Sequence, residues 1–125
     1  MFYVKYGEYF KAKRIQKNIT LTKAAQLLNI SSSYLSSIEN GSRPAPSFAL
    51  QQKMADILDL TPKQRYCLYD LAAESRPNPV LAEDLNEYIY RNTEIRNILR
   101  YAMECHLSQK DWEAINKYIK KNYIL

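Results

Sequence analysis

The stretch Thr20–Gly41, TLTKAAQLLNISSSYLSSIENG, decides how the rest of the chain is read. It holds two short apolar-periodic runs that part at Asn29-Ile30. Ala24, Ala25, Leu27 and Leu28 recur at helical spacing in the first; Leu35 and Ile38 do so in the second, with Tyr34 beside them. The Thr20 hydroxyl is placed to accept from a free amide at the start of the first run, and Ser31 or Ser32 to do the same for the second. Asn40-Gly41 ends the second run, because glycine tolerates the left-handed backbone of a helix end. The spacing predicts two helices of about 8 to 10 residues joined by about three or four, a helix-turn-helix. Its second helix would protrude as a rod that fits a DNA major groove.

Read outward from there, SSSYLSSIENGSRPAPS (31–47) resembles the recognition helix and following loop of the XRE family, the helix-turn-helix proteins of phage repressors and Cro. The resemblance runs upstream through YGEYFKAKRIQKNIT (6–20) and downstream to about Leu60-Thr61. Its most specific sign is Ile38-Glu39-Asn40-Gly41 combined with Arg14. The resemblance implies an ion pair between Arg14 and Glu39 that ties the first helix to the end of the recognition helix, a task suited to bidentate guanidinium–carboxylate geometry. It implies base-edge contacts from Ser32, Ser33 and Ser37. It places Lys11, Thr20, Lys23, Ser31, Tyr34, Asn40, Ser42 and Arg43 near phosphates. Two positions depart from the family. Leu21 stands where a phosphate-binding Gln is common, leaving the first-turn backbone amides to meet the anion. Asn29 stands where Gly is usual, and Asn is the next-best residue for positive φ. Ala25 matches the small residue at which the two helices cross. Serine cannot make the bidentate pairings of Arg or Gln, so shape and water-bridged readout are expected to matter beside direct contacts.

At 125 residues, with 46% hydrophobic content, the chain suits one domain, or a small domain with an extension. Only 2 Gly and 5 Pro and few β-branched clusters indicate an all-α protein. The 11 Tyr suit half-exposed positions on small helices. Net charge is +5, and its distribution says more than its size. Residues 1–60 hold eight basic and four acidic side chains, a net of +4, against +1 for the remainder, so the excess lies with the helix-turn-helix. Taken alone, such a charge is equally that of a solubilising surface. Cys67 and Cys105 are far apart and lack zinc spacing, and the adjacent His106 points about 100° away from Cys105 on a helix. They read as reduced, structural thiols, with no metal and no cofactor. No signal peptide and no membrane span are evident, which points to the cytoplasm.

The first helix should run from about Tyr3 to Asn18, with Tyr6 and Phe10 inward and Lys5, Lys11, Lys13 and Lys17 outward. After the stiff loop Gly41–Pro46, Ser47 caps a helix from about Phe48 to Leu58, with Leu50, Met54, Ile57 and Leu58 as its core stripe. Thr61-Pro62-Lys63-Gln64 is a capping box that opens a fifth helix to about Ala73 or Glu74, with Tyr66, Leu68, Tyr69, Leu71 and Ala72 as its apolar residues. Arg76-Pro77-Asn78-Pro79 cannot continue a helix and is the best boundary in the chain. Three more amphipathic patterns follow: about Leu81–Arg91 (Leu81, Leu85, Tyr88, Ile89), one from Asn92 or Thr93 (Ile95, Ile98, Leu99, Ala102, Met103), and one opened by Ser108–Asp111 (Trp112, Ile115, Tyr118, Ile119). The expected architecture is therefore all-α: a five-helix, lambda-repressor-like helix-turn-helix domain over 1–75 and a three-helix carboxy-terminal region over 79–125. Each late helix is too short to stand alone and must pack on something.

The implied function is a sequence-specific DNA-binding transcriptional regulator, a repressor that binds double-stranded DNA as a homodimer through 31–40 and uses its carboxy-terminal helices to dimerise. The alternative is an antitoxin or mobile-element regulator whose carboxy-terminal helices grip a protein partner. Catalysis is not expected: there is no P-loop, no nucleophile elbow and one His.

Overall fold

The computed structural model describes residues 4–78 and 80–125; Tyr3 and Pro79 lie outside them. Among the described residues the regular structure is all helical. The helices are α1 (Val4–Gln16), α2 (Leu21–Leu28), α3 (Ser32–Glu39), α4 (Phe48–Ile57), α5 (Pro62–Glu74), α6 (Glu83–Arg91), α7 (Thr93–Glu104) and α8 (Gln109–Asn122). Two compact units emerge, Met1–Asn86 and Glu87–Leu125, so the division falls within α6 rather than at the proline pair.

In the first unit, α1 packs on α3 and α5, α2 on α3 and α4, and α4 on α5. Local chemistry sets the ends of these helices. The Thr20, Ser31 and Ser47 hydroxyls accept from the amides of Lys23, Tyr34 and Leu50. Thr61 and Gln64 close a reciprocal capping box, with Pro62 in the first turn, where a missing amide proton costs nothing. Asn29 takes the left-handed conformation (φ 56°) that the turn between α2 and α3 requires. Its amide and that of Ile30 donate back to carbonyls at the end of α2.

The core is one cluster in which Tyr6, Phe10, Leu35, Ile38, Met54, Leu58 and Leu68 are almost wholly buried, with Ala24, Ala25 and Ala72 where helices approach closely. Two members of the apolar runs, Leu27 and Tyr66, are exposed. Ala24, Ala25 and Leu28 already fill the buried arc of α2, and Leu27 lies beyond it. A small satellite cluster joins Tyr69, Ala73 and Ala82, with Phe48 edge-on to Tyr69 at 4.9 Å. Ala82 thus brings the segment beyond the prolines into the first unit.

In the second unit, α7 and α8 meet at a tight turn in which His106 has φ 54° and the Leu107 amide donates to the Ala102 carbonyl. Ser108 and Asp111 form a capping box at the head of α8. Ala102 is buried, and Ile95, Leu99, Leu107 and Trp112 are half-buried. The rest of the expected inward stripe stands open: Ile98, Met103, Ile115, Tyr118 and Ile119 are exposed. Leu81, just before α6, and Leu85 and Tyr88 on it are exposed too, so these apolar faces are not covered within their own unit. Cys67 and Cys105 are both free and exposed.

Candidate nucleic-acid interface

The interface is built on α3, and three contacts from behind fix that helix. First, Arg14 and Glu39 pair in bidentate fashion: Nε donates to Oε2 at 2.7 Å and Nη2 to Oε1 at 2.8 Å. Both side chains are more than nine-tenths buried. The remaining terminal nitrogen, Nη1, donates to the Ile19 carbonyl at 2.9 Å. The Glu39 hydrogen bond holds the Arg14 pKa above the usual guanidinium value, against the opposing effect of burial. A pair this dry adds little net stability over an apolar replacement, but deleting one partner strands a charge and costs about 3–5 kcal/mol.

Second, Gly7 sits where α1 crosses the end of α3. A Cβ there would overlap the Ile38 carbonyl oxygen and would lie 2.5 Å from the Glu39 carbonyl oxygen. The helices touch backbone to backbone, a contact that no other residue permits.

Third, the loop after α3 is held by its own polar groups. Asn40 Oδ1 accepts from the Ser42 amide at 2.9 Å, and the Ser37 carbonyl accepts from the Arg43 amide at 3.1 Å and the Ser42 hydroxyl at 3.2 Å. The buried Gln51 amide donates to the Pro46 carbonyl at 2.9 Å and anchors the far end of the loop.

On the outer side, Ser31, Ser33, Tyr34, Ser37 and Arg43 line one shallow concavity. Arg43 is exposed and lies over the Tyr34 ring, its guanidinium carbon 5.9 Å from the centroid. That stack aims a cation along the groove edge without an ion pair to neutralise it among the described residues. Ser33 is exposed; Ser32, Ser36 and Ser37 are half-buried. Lys11, Thr20, Lys23, Asn40 and Ser42 are all exposed, whereas Tyr34 is half-buried.

The hydroxyls differ in what they have left to offer. Thr20 and Ser31 accept from backbone amides, so each keeps its proton to donate, as a phosphate oxygen requires. Ser42 has its hydroxyl proton on the Ser37 carbonyl and its amide proton on Asn40, so both donors are used within the chain. Within the chain Ser42 thus shapes the loop, and its donors would reach a phosphate only by leaving these partners. Among the described residues the Asn40 side-chain nitrogen makes no hydrogen bond.

Sequence reasoning missed Gly7, Gln51 and the Tyr34–Arg43 stack. Gly7 had a readable signal, since glycine inside a helix costs about 1 kcal/mol and calls for a packing reason. The other two depend on contacts between elements and have no local signature.

Residues 10–64 match the family described as Helix-turn-helix. The match covers this segment alone, and it is of the XRE helix-turn-helix type. Its attributes are those of a DNA-binding transcription regulator. No curated protein matches. Among solved structures, a chain of the SinR protein/SinI protein complex is similar at 25% identity and a TM-score of 0.47, over 91% of this chain and 93% of that one. No helix among the described residues is long and apolar enough to cross a membrane.

Proposed function

We propose that the protein is a sequence-specific repressor that binds an operator as a homodimer, laying α3 along the major groove. The observation that carries this reading is the outer face of α3: exposed hydroxyls beside an unneutralised Arg43, on a helix clamped from behind by Arg14–Glu39. Ser32, Ser33 and Ser37 meet base edges. Lys11, Thr20, Lys23, Ser31, Tyr34, Asn40, Ser42 and Arg43 meet phosphates, the hydroxyls of Thr20 and Ser31 by donating. The work is recognition, not catalysis, and its place is the cytoplasm. Residues 1–75 hold the DNA-binding function, and 79–125 the contacts between copies.

One recognition helix covers only a few base pairs, so two copies on one face of the duplex are needed for useful affinity. The open apolar residues of α7 and α8 supply surface for that association. The same surface supports a second reading, an antitoxin or mobile-element regulator whose carboxy-terminal helices hold a different protein.

Selection of bound duplexes from a random pool tests the proposal. It should return two half-sites with centres about 10 base pairs, or a multiple, apart. A single half-site bound by one copy would remove the dimer. Recovery of random sequence would remove specific recognition.

A further inference from the structure

The serines on α3 look interchangeable in sequence, but their hydroxyls are not equivalent. Ser37 Oγ donates to the Tyr34 carbonyl at 2.6 Å, a tight bond back along its own helix. A serine hydroxyl has one proton and two lone pairs. With its proton on Tyr34, Ser37 faces outward as an acceptor only. The backbone around it is equally constrained, since the Ser37 carbonyl takes the Ser42 hydroxyl and the Arg43 amide. Ser33, by contrast, makes no hydrogen bond through its hydroxyl among the described residues and is free to donate or accept.

In the major groove, the only hydrogen-bond donors on base edges are the N6 amino group of adenine and the N4 amino group of cytosine; N7, O6 and O4 are acceptors. An acceptor-only hydroxyl matches the first set and not the second. We propose that Ser37 specifies one operator position by accepting a hydrogen bond from the exocyclic amino group of an adenine or a cytosine. This rests on α3 lying along the bases, as set out above, and adds the class of base atom that Ser37 reads. To donate to N7, O6 or O4 instead, Ser37 would first have to give up its bond to Tyr34. Losing that bond disfavours the donor role by about five- to tenfold.

The test uses the selected operator with single-atom base analogues, binding the full chain and its Ser37→Ala variant. Alanine is the better helix former, so the variant keeps α3. At each position, purine replaces adenine or pyrimidin-2-one replaces cytosine, which deletes the amino donor. In parallel, 7-deazapurines delete N7. One amino deletion should weaken the wild-type chain by about five- to tenfold and leave Ser37→Ala unaffected, while every 7-deaza substitution acts equally on both. If the Ser37-dependent atom is an N7, or if no deletion depends on Ser37, the assignment is overturned while recognition by α3 stands. If the wild-type chain selects no sequence at all, the reading of α3 falls and the assignment falls with it.

Discussion

At the scale of single residues, the interface depends on pairs rather than on lone side chains. Arg43 is useful because Tyr34 gives its guanidinium a face to lie on. Tyr34→Leu should therefore weaken operator binding and lower the salt dependence by close to one charge, as Arg43→Ala does. Combining the two should add little to the change in salt dependence, while Tyr34→Phe, which keeps the ring, should leave the salt dependence as in the wild type and lose only the hydroxyl's own phosphate contact. Binding titrations across a salt series, assembled into a double-mutant cycle, check this, and strictly additive losses would break the pairing. A different pair works against the fold. Burial raises the pKa of Asp70, and repulsion from Asp84 and Glu74 adds to it. A raised carboxyl pKa means that the folded state is penalised once the group ionises. The penalty is fully present above the folded-state pKa and disappears as pH falls below the ordinary carboxylate range, about 4. Asp70→Asn should thus stabilise the chain at pH 7 by less than about 1 kcal/mol, given the exposure of the site, and have no effect near pH 3. Denaturant midpoints at the two pH values read out the difference.

Among the helices, the sequence was legible wherever an element's ends and buried arc are set by local chemistry. The caps at Thr20, Ser31, Ser47 and Thr61 and the left-handed Asn29 were all readable, because each is a short-range hydrogen bond or a backbone preference. The Arg14–Glu39 pair was accessible only through family resemblance, since nothing local links two residues on different helices. Leu27 misled because hydrophobic periodicity marks a stripe wider than the arc that is buried. A glycine inside α1 signalled some close contact, but not that the contact is with α3, whose distance Gly7 controls. Gly7→Ala should cost about 1–3 kcal/mol of stability, even though alanine favours a helix, because backbone atoms must move aside. Thermal unfolding measures the loss. A stabilised variant would show that α1 and α3 do not touch as described.

For the molecule as a whole, the first unit has a closed core and the second does not. Ala82 closes the satellite cluster with Tyr69 and Ala73, so a chain ending at Asn86 should fold as a unit. One ending at Ser75 lacks Ala82 and should be less stable by about 1 kcal/mol. Chemical denaturation of both truncations tests this, and equal midpoints would mean that the segment carrying Ala82 contributes nothing. Either truncation should bind the operator more weakly than the full chain, because it lacks the association that α7 and α8 are proposed to provide. The amphipathic pattern of these helices was readable from sequence, but their coverage was not: periodicity shows which face wants burial and is silent about which molecule buries it.

The bare backbone contact at Gly7 has an evolutionary corollary. Because the rear of the reading helix rests on main-chain atoms, its seat is indifferent to the chemistry displayed at positions 32, 33 and 37. Those three letters are free to drift, and new DNA targets to arise, without any retuning of the scaffold that holds them.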